Sequence, residues 1–340
     1  MNSYERVLKT LQLEEPDRVP LLEWSINPQV IDKLAPNLEV QEFMARELDV
    51  VTTFINLGPE EAEGENEERV IVDEWGIKRK YTGQDYAIPF QYPIEEKSDL
   101  ASYRPPDPAE NPRLANLEEL VERYKGEKAI CFTLETVFTY AWGLVGMENF
   151  FLHLKRDPRF AQQLLETSFD YHRELARRAL EIGADIIMCG DDLAYKKGPM
   201  ISQEDFERFL LSYYEQMIDL THEQGARFVK HTDGQIDTLI PSFVEAGADA
   251  INPLEPAAGM DIGRVKENYG ELICLIGNID CGELLSRGSP EEVEKVVKET
   301  IEAAAPGGGY ILSSSNEIHA AVRPENFRAM LQAAEEWGQY

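Results

Sequence analysis

The chain is poor in cysteine, with four in 340 residues, at positions 131, 189, 274 and 281, and no CxxC pair among them. Thiols so few and so far apart argue against a disulfide framework. Cations are also scarce. Thirty-three Lys and Arg stand against 63 Asp and Glu, a formal net charge of −30, and a field of that sign repels phosphate backbones and anionic lipid surfaces. Nucleic acid and membranes are therefore not expected partners. No apolar run approaches the roughly 18 residues of a membrane span. The opening MNSYERVLKTLQLEEPDRVP has acidic residues at helical spacing where a signal peptide needs a basic end and an apolar core. A cytoplasmic protein is expected, without internal repeats or low-complexity tracts.

What is present is an alternation of short apolar runs with longer amphipathic segments, the pattern of βα units around a parallel sheet. The runs at 129–135, 184–192, 227–234, 248–255, 273–280 and 309–316 read as buried parallel strands, and all end in polar residues. Upstream, 18–24 and 49–56 fit as the first two strands, which brings the number to eight. Helices such as 158–183 and 289–305, the latter opening on Ser289 and Pro290, supply the crossovers. The expectation is an α/β protein, a (β/α)8 TIM barrel in one domain over 1–340, with an N-terminal helical extension. Residues 57–126 break the rhythm with an acidic stretch, EEAEGENEE, a hairpin-like RVIVDEWGIKRKYTG and a proline-rich SYRPPDPAENP. They read as an insertion after the second strand, either a cover for the active site or an elaborated surface loop.

In such a barrel the C-terminal strand ends converge on one pocket. Read in order, they carry Glu23, Asn56, Glu135, Asp191 with Asp192, His231 with Asp233, Asn252 with Glu255, Asp280 with Cys281, and Ser314 with Asn316. Imidazole and thiolate are favoured zinc ligands, so His231 and Cys281 are candidate metal ligands, and the HxD spacing puts Asp233 on the same face as His231. Glu135, Asp191 and Glu255 are candidate catalytic carboxylates. Glu23, Asn56, Asp192, Asn252, Asn316 and the nearby His319 are candidate substrate contacts. Cys131, Cys189 and Cys274 read as inert small core residues, and APGGG at 305–309 as a turn, because it precedes its strand.

Taken together, EPDRVP (15–20), DEWG (73–76), GDD (190–192), KHTDG (230–234), EAGADAINPLEP (245–256), GNIDCGELL (277–285) and SSSN (313–316) resemble the uroporphyrinogen decarboxylase superfamily nearly end to end. The resemblance implies a barrel and one of two activities, tetrapyrrole decarboxylation or cobamide-dependent methyl transfer. True decarboxylases carry an Arg-rich element near the N-terminus, and 18–32 lack it after Arg18. The methyltransferase branch holds zinc with an HxC pair and a later Cys. His231 matches its histidine, while Asp233 stands where the Cys would be, and Ser315 and Asn316 lie near the place of the later Cys. The resemblance therefore implies a zinc-dependent methyltransferase that demethylates a small methoxy or similar compound, with the methyl passing to a corrinoid on a separate corrinoid-binding protein. Two alternatives remain open: a metal-free decarboxylase acting on a carboxylated substrate, and a non-catalytic barrel that binds a small cation in its acidic mouth. A homodimer is the default expectation for assembly.

Overall fold

The computed structural model describes residues 1–57, 61–63, 70–81, 87–110 and 112–340. Its centre is a seven-stranded sheet: β1 (Val50–Phe54), β2 (Ala129–Leu134), β3 (Ile186–Gly190), β4 (Arg227–His231), β5 (Ala250–Asn252), β6 (Cys274–Ile279) and β7 (Tyr310–Ser314). They lie side by side in chain order, and every pairing is parallel. Alternation gives the sheet two apolar faces. Val50, Cys131, Met188, Val229 and Cys274 belong to an inner cluster. Phe132, Ile187, Cys189 and Phe228 pack outward in the larger core shared with the helices.

The run 18–24, expected as a strand, spans the gap between β7 and β1. Leu22 N–H donates to Leu312 O (3.1 Å), Leu312 N–H to Pro20 O (2.9 Å) and Asp49 N–H to Leu21 O (3.0 Å). Only an isolated parallel bridge forms there. Pro20 has no N–H to give a ladder, and the Leu21 N–H is taken by the buried Asp49 carboxylate (2.9 Å). Seven strands and this segment curl the parallel sheet in the manner of a TIM barrel. Helix Ser3–Leu11 sits against its N-terminal end, where Val7 and Leu11 join the inner cluster.

The crossover helices begin where the caps predict. Asp157 caps Pro158–Ile182 through the Phe160 N–H, and Gly183 ends it at φ 123°. Ser289 and Glu292 form a reciprocal capping box on Pro290–Ala304. Between β1 and β2 lies a four-stranded antiparallel sheet of Glu61–Glu63, Val70–Val72, Lys78–Tyr81 and Ala87–Gln91. The expected hairpin is its central pair, while most of the acidic stretch 60–68 lies outside the described residues. Its turn is held by the Asp73 carboxylate, which accepts from Trp75 N (3.0 Å) and Ile77 N (2.9 Å). Buried Trp75 then stacks on Tyr140, centroids 4.4 Å apart, fastening this sheet to helix Phe138–Gly143 beside the strand ends. Among the described residues no helix is long and apolar enough to cross a membrane.

Candidate metal centre

A cavity of about 260 Å³ opens at the C-terminal ends of β2, β3 and β4. Glu135, Asp192, His231, Asp233 and Asn316 form its polar side, and Trp24, Trp142, Met147 and Met200 its apolar side. A larger groove of about 640 Å³ lies elsewhere, among Leu100, Tyr103, Pro105 and Glu166. The convergent ionisable groups, not size, mark the smaller cavity as the site.

His231 is placed by parity: Val229 faces the inner core, so residue 231 does too. Its ring stacks on Trp24, centroids 4.2 Å apart and planes at 24°. Nδ1 is hydrogen-bonded to Asn252 Oδ1, and the Asn252 amide nitrogen in turn donates to Ile276 O (3.5 Å). A carbonyl oxygen only accepts, so the proton belongs on Nδ1 and the Nε2 lone pair is free. Burial pushes the imidazole down to about 4, which keeps it neutral. Nε2 lies 3.7 Å from Asp233 Oδ1, and the donor atoms of Asp192, His231 and Asp233 all fall within 4.8 Å of one another.

The carboxyls around this point are under strain of charge. Burial, then Asp192, Glu255 and Glu317, push Asp233 up to about 8. Burial, then Asp191 and Asp192, hold Glu135 well above the carboxylate range. Asp233 Oδ2 accepts from the Asn316 amide, but Asp233 Oδ1 and Glu135 Oε2 are buried without a hydrogen-bond partner. No Lys or Arg lines the cavity among the described residues. One neutral nitrogen and two carboxylates, one of them with an orphaned oxygen, form a donor set that a divalent cation fits.

The structure separates the other candidates. Asp191 and Asp192 diverge, as neighbours at a strand end must: Asp192 faces the cavity, and Asp191 is buried behind it. Asp191 accepts from the N–H groups of Val137 (2.8 Å), Phe138 (3.1 Å) and Thr139 (2.9 Å) and from the Tyr214 hydroxyl (2.9 Å). Its carboxylate therefore caps a helix instead of facing substrate. Cys281 is not in the cluster. Asp280 Oδ1 accepts from Gly282 N (2.8 Å) in a turn beyond β6, and the thiol sits against the Ser315 hydroxyl (3.5 Å) with burial raising it above its ordinary value. Glu255 accepts from Gly234 N (3.0 Å), where a β-carbon on the glycine, at φ 87°, would meet the Ala194 and Tyr195 backbone at 2.7 Å. Glu23 is buried against Ser314 N (3.0 Å) and Oγ (2.6 Å), pushed up to about 8 by burial. Asn56 binds Pro112 O (2.9 Å) and His319 Nδ1 accepts from Ala321 N (3.3 Å). None of Asp191, Cys281, Glu255, Glu23, Asn56 and His319 lines the cavity, and Asn252 reaches it only through His231.

The family profile of uroporphyrinogen decarboxylase (URO-D) matches residues 56–337. The chain belongs to this family. A methylated-thiol–coenzyme M methyltransferase of Methanosarcina mazei is 25% identical over 223 residues, 66% of this chain and 57% of that protein. A uroporphyrinogen decarboxylase of Pseudoalteromonas atlantica is 24% identical over 268 residues, 76% of this chain and 73% of the relative. A solved methyltransferase from Methanosarcina mazei shares the fold, with a TM-score of 0.76, 19% identity and 99% of both chains covered.

Sequence reasoning did not single out the cavity's apolar side or Lys230. Trp24 closes the run 18–24, which forms an isolated bridge and not the expected strand, so period-two counting does not give its direction. Trp142 and Met147 come from the helical loop after β2, and Met200 follows a two-residue hairpin, Ala194–Tyr195 with Gly198–Pro199. The odd presence of a lysine inside an apolar strand, FVKH, was the available signal for Lys230.

Proposed function

We propose that the chain is a metal-dependent methyltransferase that moves a methyl group between a small methylated compound and a corrinoid carried by a partner protein. Zinc is the ion assigned, held by Asp192, His231 and Asp233. The observation that carries this reading is the neutral imidazole, locked by Asn252 with Nε2 toward two carboxylates, one of them with an orphaned oxygen. The methyltransferase relatives support the reaction class. When bound, the metal supplies Lewis acidity to the heteroatom that loses its methyl, and the corrinoid supplies the nucleophile. A cavity of about 260 Å³ suits a small methyl donor.

The residues divide the remaining work. Trp142, Met147 and Met200 give the donor's carbon frame an apolar wall and keep water from it. Glu135, its carboxyl held well above the ordinary carboxylate range by burial, is placed to give a proton to the heteroatom as the carbon–heteroatom bond breaks and that atom becomes basic. The donor set here is one nitrogen and two oxygens, harder than a thiolate set, and favours polarising an oxygen over capturing a thiol. A methyl ether is therefore the preferred donor. The decarboxylase alternative has less support, because a polycarboxylate would meet Glu135, Asp192 and Asp233 with no lining cation among the described residues.

The test is an anaerobic assay with free cob(I)alamin as acceptor, zinc-loaded protein and a panel of small methyl ethers, thioethers and carboxylates. Methylation of the cobalamin by an ether, lowered about 10²- to 10⁴-fold in Glu135→Gln, is the expected result. Carbon dioxide release from a carboxylate without methyl transfer would overturn it.

A further inference from the structure

Lys230 is wholly buried although it adjoins His231 at the end of β4. Alternation turns it away from the cavity and under helix Leu211–Glu223, where its ammonium lies 5.3 Å from the centre of the Tyr214 ring. All three ammonium N–H groups have acceptors. Nζ donates to Cys189 O (3.2 Å) and Asp191 O (2.7 Å) at the end of β3, and to His231 O on its own strand. The Asp191 carboxylate in turn gathers the amides of residues 137–139 that follow β2. Burial pushes Asp191 up, but the Lys230 charge and these amides outweigh it and hold the carboxyl below its ordinary value.

Each anchored point is at most two residues from a group that faces the cavity. Asp191 precedes Asp192, Lys230 precedes His231, and Thr139 lines the cavity itself. A buried charge is costly, and an apolar side chain of similar volume would pack under the Tyr214 ring without that cost. What the lysine adds is a fixed distance between two strand ends. We propose that Lys230 and Asp191 are a positioning pair, in which the ammonium ties the ends of β3 and β4 together so that Asp192 and His231 present their donor atoms to one ion. This rests on the metal-site reading above. Neither residue touches metal or substrate, and both act through the main chain.

The test uses Lys230→Met, which removes the donors, and Lys230→Met/Asp191→Asn, which removes both charges and spares the fold an unpaired buried carboxylate. Zinc affinity is measured by competition with a chelating dye, and amide hydrogen exchange is followed in the metal-free proteins. The expected result is a folded double variant with zinc affinity lowered about 10- to 100-fold and faster exchange at both 189–193 and 230–235. A double variant that binds zinc like wild type would overturn the proposal, since Lys230 would then only neutralise Asp191. If wild-type protein takes up no zinc, the metal-site reading fails by itself and exchange decides this one. Faster exchange at both segments would sustain the tie between the strands, and unchanged exchange would refute it.

Discussion

Replacing Asn252 by Ala separates a ring held for ligation from a ring that merely fills space. In the wild-type chain the Asn252 carbonyl fixes the proton on His231 Nδ1, and the amide is itself held by Ile276 O. Without that acceptor the ring loses its tautomer bias, and Nδ1–H is left buried beside the Trp24 stack. Losing such a supporting group costs about 10- to 100-fold in metal affinity, about 1.4 to 2.8 kcal/mol at roughly 1.4 kcal/mol per decade. The orphaned N–H adds a loss of about 1–3 kcal/mol in the stability of the metal-free protein. Dye competition on apo-protein gives the first quantity, and chemical denaturation gives the second. An Asn252→Ala protein that is destabilised yet binds zinc as wild type does would refute the assignment of Nε2 as a donor.

Three further outcomes follow from the same geometry. Because Asp233 is raised to about 8 and must lose its proton to bind, zinc affinity should climb about tenfold per pH unit toward pH 8 and then level off, as dye titrations at several pH values would show. The stability sign is opposite: Asp233 and Glu23, each raised to about 8, favour the fold most at acid pH. Their contribution fades as pH rises through that value, so the melting temperature of metal-free protein should fall from pH 6 to 9 unless zinc is added. Gly190→Ala would place a β-carbon 3.6 Å from Glu135 Oε1 and 3.8 Å from Trp24, ordinary contacts, so stability should hold while KM rises for the bulkier methyl donors; a raised KM for all donors alike would contradict that placement.

Much of the architecture was legible because buried parallel strands and capped helices write themselves in short windows. The strands that close at Gly190, His231 and Ser314, inside the runs 184–192, 227–234 and 309–316, and the Ser289 cap needed only period and cap chemistry. His231 was legible as an imidazole at the C-terminal end of one of those runs. Cys281 was chosen for its ligand chemistry, but β6 stops at Ile279 and the Asp280 turn carries the thiol to Ser315. No sequence period encodes that turn. Asp191 and Asp192 could be known to diverge, yet which one entered the cavity depended on where β3 ended. Trp24 was opaque because it lies on an irregular segment, and Trp75 because it packs on Tyr140 from the antiparallel sheet after β1. Lys230 showed only as an odd cation in an apolar run, since nothing local announces three carbonyl acceptors on adjacent strands.

The central claim is that Asp192, His231 and Asp233 hold one ion. Elemental analysis of protein stripped of metal, reloaded with zinc and desalted tests it most directly, comparing wild type with His231→Ala, Asp233→Ala and Cys281→Ala. The account predicts about one zinc per chain in wild type and Cys281→Ala, and loss of it in both other variants. Zinc retained without His231, or lost equally without Cys281, would contradict it.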